Sequence, residues 1–154
     1  MPRIQARSPA CTGCRMCEMA CSVAKTGKFS SRSSRVWIET DGRIGKDLPH
    51  VCRQNVKACR APGSPLPRCM AACPLLREPD PPISWDETSG VVQLRPRRSC
   101  PECLACAEAC RFGAIRIDPA EGRLVKCDLC GGDPECVKVC VTEAIRHERG
   151  QDHA

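Results

Sequence analysis

The sequence predicts an α+β fold: two tandem lobes of short β-hairpins and short helices wrapped around cysteine-held centres. Three observations carry that expectation. Sixteen cysteines, about a tenth of the chain, fall into four groups of four, a density that marks a fold stapled through sulfur. Three alternating apolar stretches, each broken by a turn dipeptide, precede the last three groups. Ordinary core material is scarce, with two Phe, two Trp and no Tyr against fourteen prolines and eleven glycines. Aromatic packing alone cannot offset the entropy of ordering such a backbone, so the cysteines must contribute.

The first group is Cys11, Cys14, Cys17 and Cys21, spaced C-x2-C-x2-C-x3-C. Its tail, EMACSVAK, suits one or two helical turns. VWIETDGRI follows and reads as strand, Asp-Gly turn and strand. The second group, Cys52, Cys59, Cys69 and Cys73, is irregular: six residues separate its first pair and nine the next. Only the last pair has the three-residue gap seen elsewhere, around MAACPLL. ISWDETSGVVQL is the next hairpin, followed by Cys100, Cys103, Cys106 and Cys110 in the same regular spacing as the first group. AIRIDPAEGRLV repeats the hairpin before Cys127, Cys130, Cys136 and Cys140. The last two groups form an internal repeat of thirty residues: Cys106, Cys110, Ala114 and Ile115 recur as Cys136, Cys140, Ala144 and Ile145. Trp37 and Trp85 lie on hairpins and read as packing residues.

Thiols at this density serve disulfides, zinc or iron–sulfur centres. The N-terminus has no apolar signal run and no window reaches membrane-spanning length, so the expectation is a soluble, cytoplasmic protein with reduced thiols. Zinc asks only for paired knuckles. Two three-cysteine runs, each with a fourth cysteine after a helical turn, match the bacterial iron–sulfur run. A cysteine at either end of one helical turn points towards a different centre. Each group then lends one ligand to a partner group, so groups must pair, and the four groups balance with none left over. This favours the second group as a ligand set carrying an inserted loop, with structural thiols or a smaller cluster as the alternatives. The cofactor expectation is four [4Fe-4S] clusters.

Little else offers chemistry. No G-x-G-x-x-G or P-loop pattern occurs, and there are three histidines: His50 before the second group, with His147 and His153 in a polar tail. His50 reads as a surface or supporting residue beside a centre more readily than as a ligand. The formal charge of +6 counts cysteines as neutral. Four clusters at about −2 each would bring the loaded chain to about −2. Arg95, Arg97 and Arg98 therefore read as a solvated loop beside a cysteine run and not as a nucleic-acid contact.

"CTGCRMCEMACS", "CPECLACAEACRFGAI" and "KCDLCGGDPECVKVCVTEAI" resemble the four-cluster, ferredoxin-type iron–sulfur subunits of the dimethyl-sulfoxide-reductase type. That family includes electron-transfer partners of formate dehydrogenases, hydrogenases, carbon monoxide dehydrogenase and tungsten enzymes. The opening, from Cys11 through "KTGKFSSRSSRVWI", is most similar to the small subunit of tungsten-dependent aldehyde oxidoreductase. The resemblance spans roughly residues 5–147. It implies one cluster on Cys11, Cys14, Cys17 and Cys140 and a second on Cys127, Cys130, Cys136 and Cys21. It implies a third on Cys52, Cys59, Cys69 and Cys110 and a fourth on Cys100, Cys103, Cys106 and Cys73. Lobe one would run from 5–50 plus 111–147, and lobe two from 51–110. The family opens its second group with C-x2-C, whereas Asn55 stands at that second ligand position here; Cys59 is the nearby cysteine available instead.

The implied function is a non-catalytic electron-transfer subunit of an oxidoreductase complex. Its implied partners are a tungsten- or molybdenum-pterin catalytic subunit and a flavin- or nicotinamide-handling subunit. A wire open at both ends also admits head-to-tail self-association. The alternatives are an electron-transfer subunit of a formate dehydrogenase, hydrogenase or carbon monoxide dehydrogenase, a free polyferredoxin shuttle and, from another class, a zinc-binding nucleic-acid module.

Overall fold

A computed structural model describes residues 3–43, 45–54 and 56–148. It is a small α/β architecture of four two-stranded antiparallel ribbons and short helices. β1 (Arg3–Ala6) pairs with β8 (Ile145–Glu148), and β2 (Trp37–Asp41) with β3 (Lys46–His50). β4 (Ile83–Asp86) pairs with β5 (Val91–Leu94), and β6 (Ile115–Asp118) with β7 (Arg123–Lys126). The helices are α1 (Met16–Thr26), α2 (Val56–Cys59), α3 (Arg68–Ala71), α4 (Cys100–Cys103), α5 (Ala105–Glu108) and α6 (Glu135–Lys138).

The second and third hairpins share one turn chemistry. Asp86 Oδ1 accepts from the amides of Thr88 and Ser89 at 3.0 and 3.3 Å, and Asp118 Oδ1 from that of Ala120 at 2.8 Å. Their carbonyls accept from Gly90 and Gly122 at 2.8 Å. The aspartate side chain thus mimics a backbone turn. The first hairpin differs from the sequence expectation. Its second strand begins at Lys46, beyond the Asp41-Gly42 dipeptide, so the loop is longer. Ile44, expected on the returning strand, lies outside the described residues. Pro49 is tolerated in β3 because each ribbon has only two strands and leaves an edge free.

α1 is longer than the one or two turns expected, running eleven residues. Gly27 ends it in the left-handed region at φ 68°, its amide bonding to Val23 O at 2.9 Å, a glycine stop. Cys17, Glu18, Cys21 and Ser22 form its buried face, two pairs at four-residue spacing. The four-residue helices α3, α5 and α6 carry the third cysteines of their groups. The β1–β8 ribbon, which joins the two ends of the described chain, has no counterpart among the sequence expectations. It also places His147 opposite Ile4 in a strand and not in a loose tail; His153 lies outside the described residues.

Two apolar clusters form the interior. One gathers Ile4, Val36, Ile38, Val51, Val91, Leu129 and Ile145 with Cys17, Cys21, Cys52, Cys127 and Cys136. The other gathers Met70, Ile83, Val92, Ile115 and Leu124 with Cys69, Cys100 and Cys106. Cys110 packs against both. Each fully buried aliphatic side chain contributes about 1.5–3 kcal/mol. Eight of the buried apolar positions among the described residues are cysteines, so much of the interior is thiol in place of hydrocarbon.

Candidate metal centres

The cysteine loops are shaped by left-handed residues. Gly13 and Arg15 (φ 68° and 58°) flank Cys14; Leu104 (52°) follows Cys103; Leu129, Cys130 and Gly131 (58°, 51° and 72°) are consecutive; Gln54 (49°) follows Cys52 by two. Alternating handedness turns successive amides to one side and makes an anion-binding concavity. Backbone N–H groups do point at sulfur. Arg35, Arg97 and Ala114 donate to Cys21, Cys100 and Cys110 Sγ at 3.3 Å. Leu129 and Ile145 donate to Cys127 and Cys140 Sγ at 3.4 Å. Gly113 supplies the tight return after Cys110: it sits at φ +56°, and a Cβ there would meet His50 Nδ1 at 2.9 Å.

Thiols that share an electrostatic field reveal which groups meet. Burial pushes the Cys11 thiol up, and the charges of Cys14 and Cys140 add to this. Burial pushes Cys17 up to about 12, with Glu18 and then Cys11 and Cys14 contributing. Cys136 is raised by burial and by Cys127, Cys21, Cys130 and Cys17. Cys127 is pushed up to about 12 by burial, then by Cys52 and more weakly Cys21. Cys59 is raised by burial, Cys52 and Cys110, while Cys69 reaches about 12 through burial with Cys52, Cys110 and Cys59 contributing. Burial pushes Cys106 up to about 11, together with Cys73, Cys100 and Cys103.

Every fourth cysteine therefore meets a group other than its own. Cys140 comes to Cys11, Cys21 to Cys136, Cys110 to Cys59 and Cys69, and Cys73 to Cys106. α1 packs on α6, and α3 on α5. Cys11, Cys14, Cys17 and Cys140 line one cavity. Cys73, Cys100, Cys103 and Cys106 line another, walled by Pro74, Ile83, Leu94 and Leu124. Among the described residues no group of three or more His, Cys, Asp or Glu side chains could hold a single metal ion. Convergent soft thiols with amides aimed at sulfur suit iron–sulfur chemistry. Cys59 lies in the irregular group's field, whereas Asn55 lies outside the described residues.

Surrounding side chains hold these loops. Asp128 pairs with Lys25 at 2.7 Å and Arg35 at 2.9 Å, and its Oδ1 accepts from the Cys130 amide at 3.1 Å. Burial alone would raise its carboxyl, but Lys25, the Cys130 amide and Arg35 hold it below the usual range. Glu18 is 1% exposed and accepts from the Ile38 amide at 2.6 Å, tying α1 to β2. His50 stacks on Trp37 with centroids 5.5 Å apart, and its nitrogens face Phe112 O at 3.1 Å and Glu39 Oε2 at 2.8 Å. Both nitrogens are therefore engaged away from the cysteines. Trp85 packs against the second apolar cluster, and Arg97 is tied to Glu78 and to Asp80 O. Glu18, Gln54, Lys126 and Asp128 were not singled out by the sequence; acidic and amide residues scattered between cysteines carry no spacing signal. Adjacency to a cysteine, Glu18 beside Cys17 and Lys126 and Asp128 beside Cys127, is the positional clue.

No protein-family model matches the chain. It is 36% identical over 142 residues to the polyferredoxin-like subunit of aliphatic sulfonate oxidoreductase from Pyrococcus furiosus, covering 92% of this chain and 69% of that one. It is 28% identical over 146 residues to the thiosulfate reductase electron transfer subunit of Salmonella typhi, covering 90% and 71%. The beta subunit of NADH-dependent phenylglyoxylate dehydrogenase from Aromatoleum evansii is 34% identical over 139 residues, but the match spans 89% of this chain and only 28% of that one. A solved chain of the BamBC active site complex of benzoyl coenzyme A reductase shares the fold, with TM-score 0.50, 23% identity and coverage of 96% and 79%. The chain thus belongs to the polyferredoxin-like family of iron–sulfur electron-transfer subunits of oxidoreductase complexes.

Proposed function

We propose that the chain is a four-centre electron wire serving the catalytic subunit of an oxidoreductase. Two ferredoxin-like lobes would hold a [4Fe-4S] cluster on each quartet: Cys11, Cys14, Cys17 and Cys140; Cys21, Cys127, Cys130 and Cys136; Cys52, Cys59, Cys69 and Cys110; Cys73, Cys100, Cys103 and Cys106. The observation that carries this reading is the exchange of fourth cysteines between groups. Such clusters pass one electron at a time. The chain's part is to wrap each centre, donate amides to sulfur and exclude water, which together set potentials. Charge contacts also suggest an order. Cys17 with Cys136 joins the first quartet to the second, and Cys52 with Cys127 joins the second to the third. Cys110 of the third quartet packs against the apolar cluster that holds Cys100 and Cys106 of the fourth. Cys14 and Cys103 are exposed, which makes the outer quartets the entry and exit.

The catalytic partner is best read as a tungsten- or molybdenum-pterin enzyme, with a tungsten aldehyde oxidoreductase favoured by the opening sequence. Isolation of the native complex tests this. A large subunit that co-purifies and reduces the clusters on addition of an aldehyde supports the reading. Recovery of a small free protein supports a shuttle. Head-to-tail stacking through the Cys14 and Cys103 ends belongs to the same reading, and small-angle scattering that finds only monomers at high concentration removes it.

A further inference from the structure

Between the two inner quartets lies a cation whose surroundings are unusual. Lys126, at the end of β7, is 5% exposed. Its Nζ donates to Val92 O at 2.6 Å and to Cys127 O at 3.0 Å. Both acceptors are neutral carbonyls, in contrast to Lys25, which pairs with Asp128. Gln54 already joins the same carbonyls, with Nε2 at 3.3 Å from Val92 O and 2.8 Å from Cys127 O; its Oε1 accepts from the Val92 amide at 3.0 Å. A second clasp on two satisfied carbonyls does not account for burying an ammonium, which is costly unless negative charge compensates it. Cys127 belongs to one inner quartet, and Val92 packs in the apolar cluster that holds Cys69 of the other.

We propose that Lys126 is a built-in counter-charge that raises the reduction potential of the inner centres. The proposal rests on the four-centre reading. Reduction adds one electron from the donor to a centre and makes no bond. The reduced centre is one unit more negative, and a fixed cation in a dry interior stabilises it more than the oxidised one. Lys126 thus acts as a positioning charge and keeps the inner centres reducible from the outer ones.

The test is a redox titration of the loaded protein with dithionite, followed by electron paramagnetic resonance, after iron and sulfide have been counted. Lys126→Gln should lower the reduction constant of one or two centres about tenfold or more, about 59 mV for one electron. Lys126→Arg, which keeps the charge, should leave every centre near its wild-type value. A Lys126→Gln protein that loses about four irons while Lys126→Arg keeps all of them also supports the charge role. Unmoved potentials in Lys126→Gln, or equal shifts or equal iron loss in both variants, overturn the proposal while leaving the wire intact. A wild type without sulfide overturns both.

Discussion

At the scale of single residues, the sharpest dependence is on Cys59. Replacing it with serine should lower bound iron from about sixteen to about twelve per chain if it ligates; unchanged iron would make it a packing thiol. Its position was only partly legible, because six residues separate it from Cys52 where a tight run would have two, and the α2 turn that brings it in has no periodic signal. Gly113 is a second test. Alanine there meets both a left-handed backbone and the His50 ring, so stability should drop by about 2 kcal/mol or more in chemical denaturation. The regular cysteine runs stood out because soft thiols at fixed short gaps have few other uses. The buried partners were not, because Glu18, Gln54 and Lys126 belong to residue types that usually face water.

Among elements, the hairpins before the third and fourth groups were the most legible. Asp-x-x-x-Gly fixes a turn through the aspartate side chain and a left-handed glycine, and needs no tertiary help. β1 and β8 were illegible for the opposite reason: each is four residues long and forms only against the other end of the described chain. The 128–132 turn depends on Asp128 gripping Lys25 of α1. Asp128→Asn should cost about 1–3 kcal/mol at neutral pH. Because its folded pKa is depressed, that stabilisation is fully present above the unfolded value of about 3.9 and is lost as pH falls through the lower folded value. The gap between wild type and Asp128→Asn in urea midpoints should stay flat from about pH 8 to about pH 5 and narrow only below about pH 4. A gap that widens with acid would assign the residue another role.

Across the whole molecule, two apolar clusters rich in cysteine and small ribbons of two strands make a fold that hydrocarbon alone holds weakly. Removing the proposed iron–sulfur centres by anaerobic chelation should therefore unfold most of the chain, seen as loss of the ribbon signal in circular dichroism; retention of native structure would show that the thiols are packing groups first. That groups must pair could be anticipated by counting, since paired groups leave no ligand over, but which groups come together shows in the packing of α1 on α6 and of α3 on α5. Among the described residues no helix is long and apolar enough to cross a membrane.

The most direct test of the four-centre reading is the iron and acid-labile sulfide content of protein purified without oxygen. The fold described here predicts about sixteen of each per chain, with all four quartets filled. Zinc without sulfide would contradict it and end the electron-wire reading.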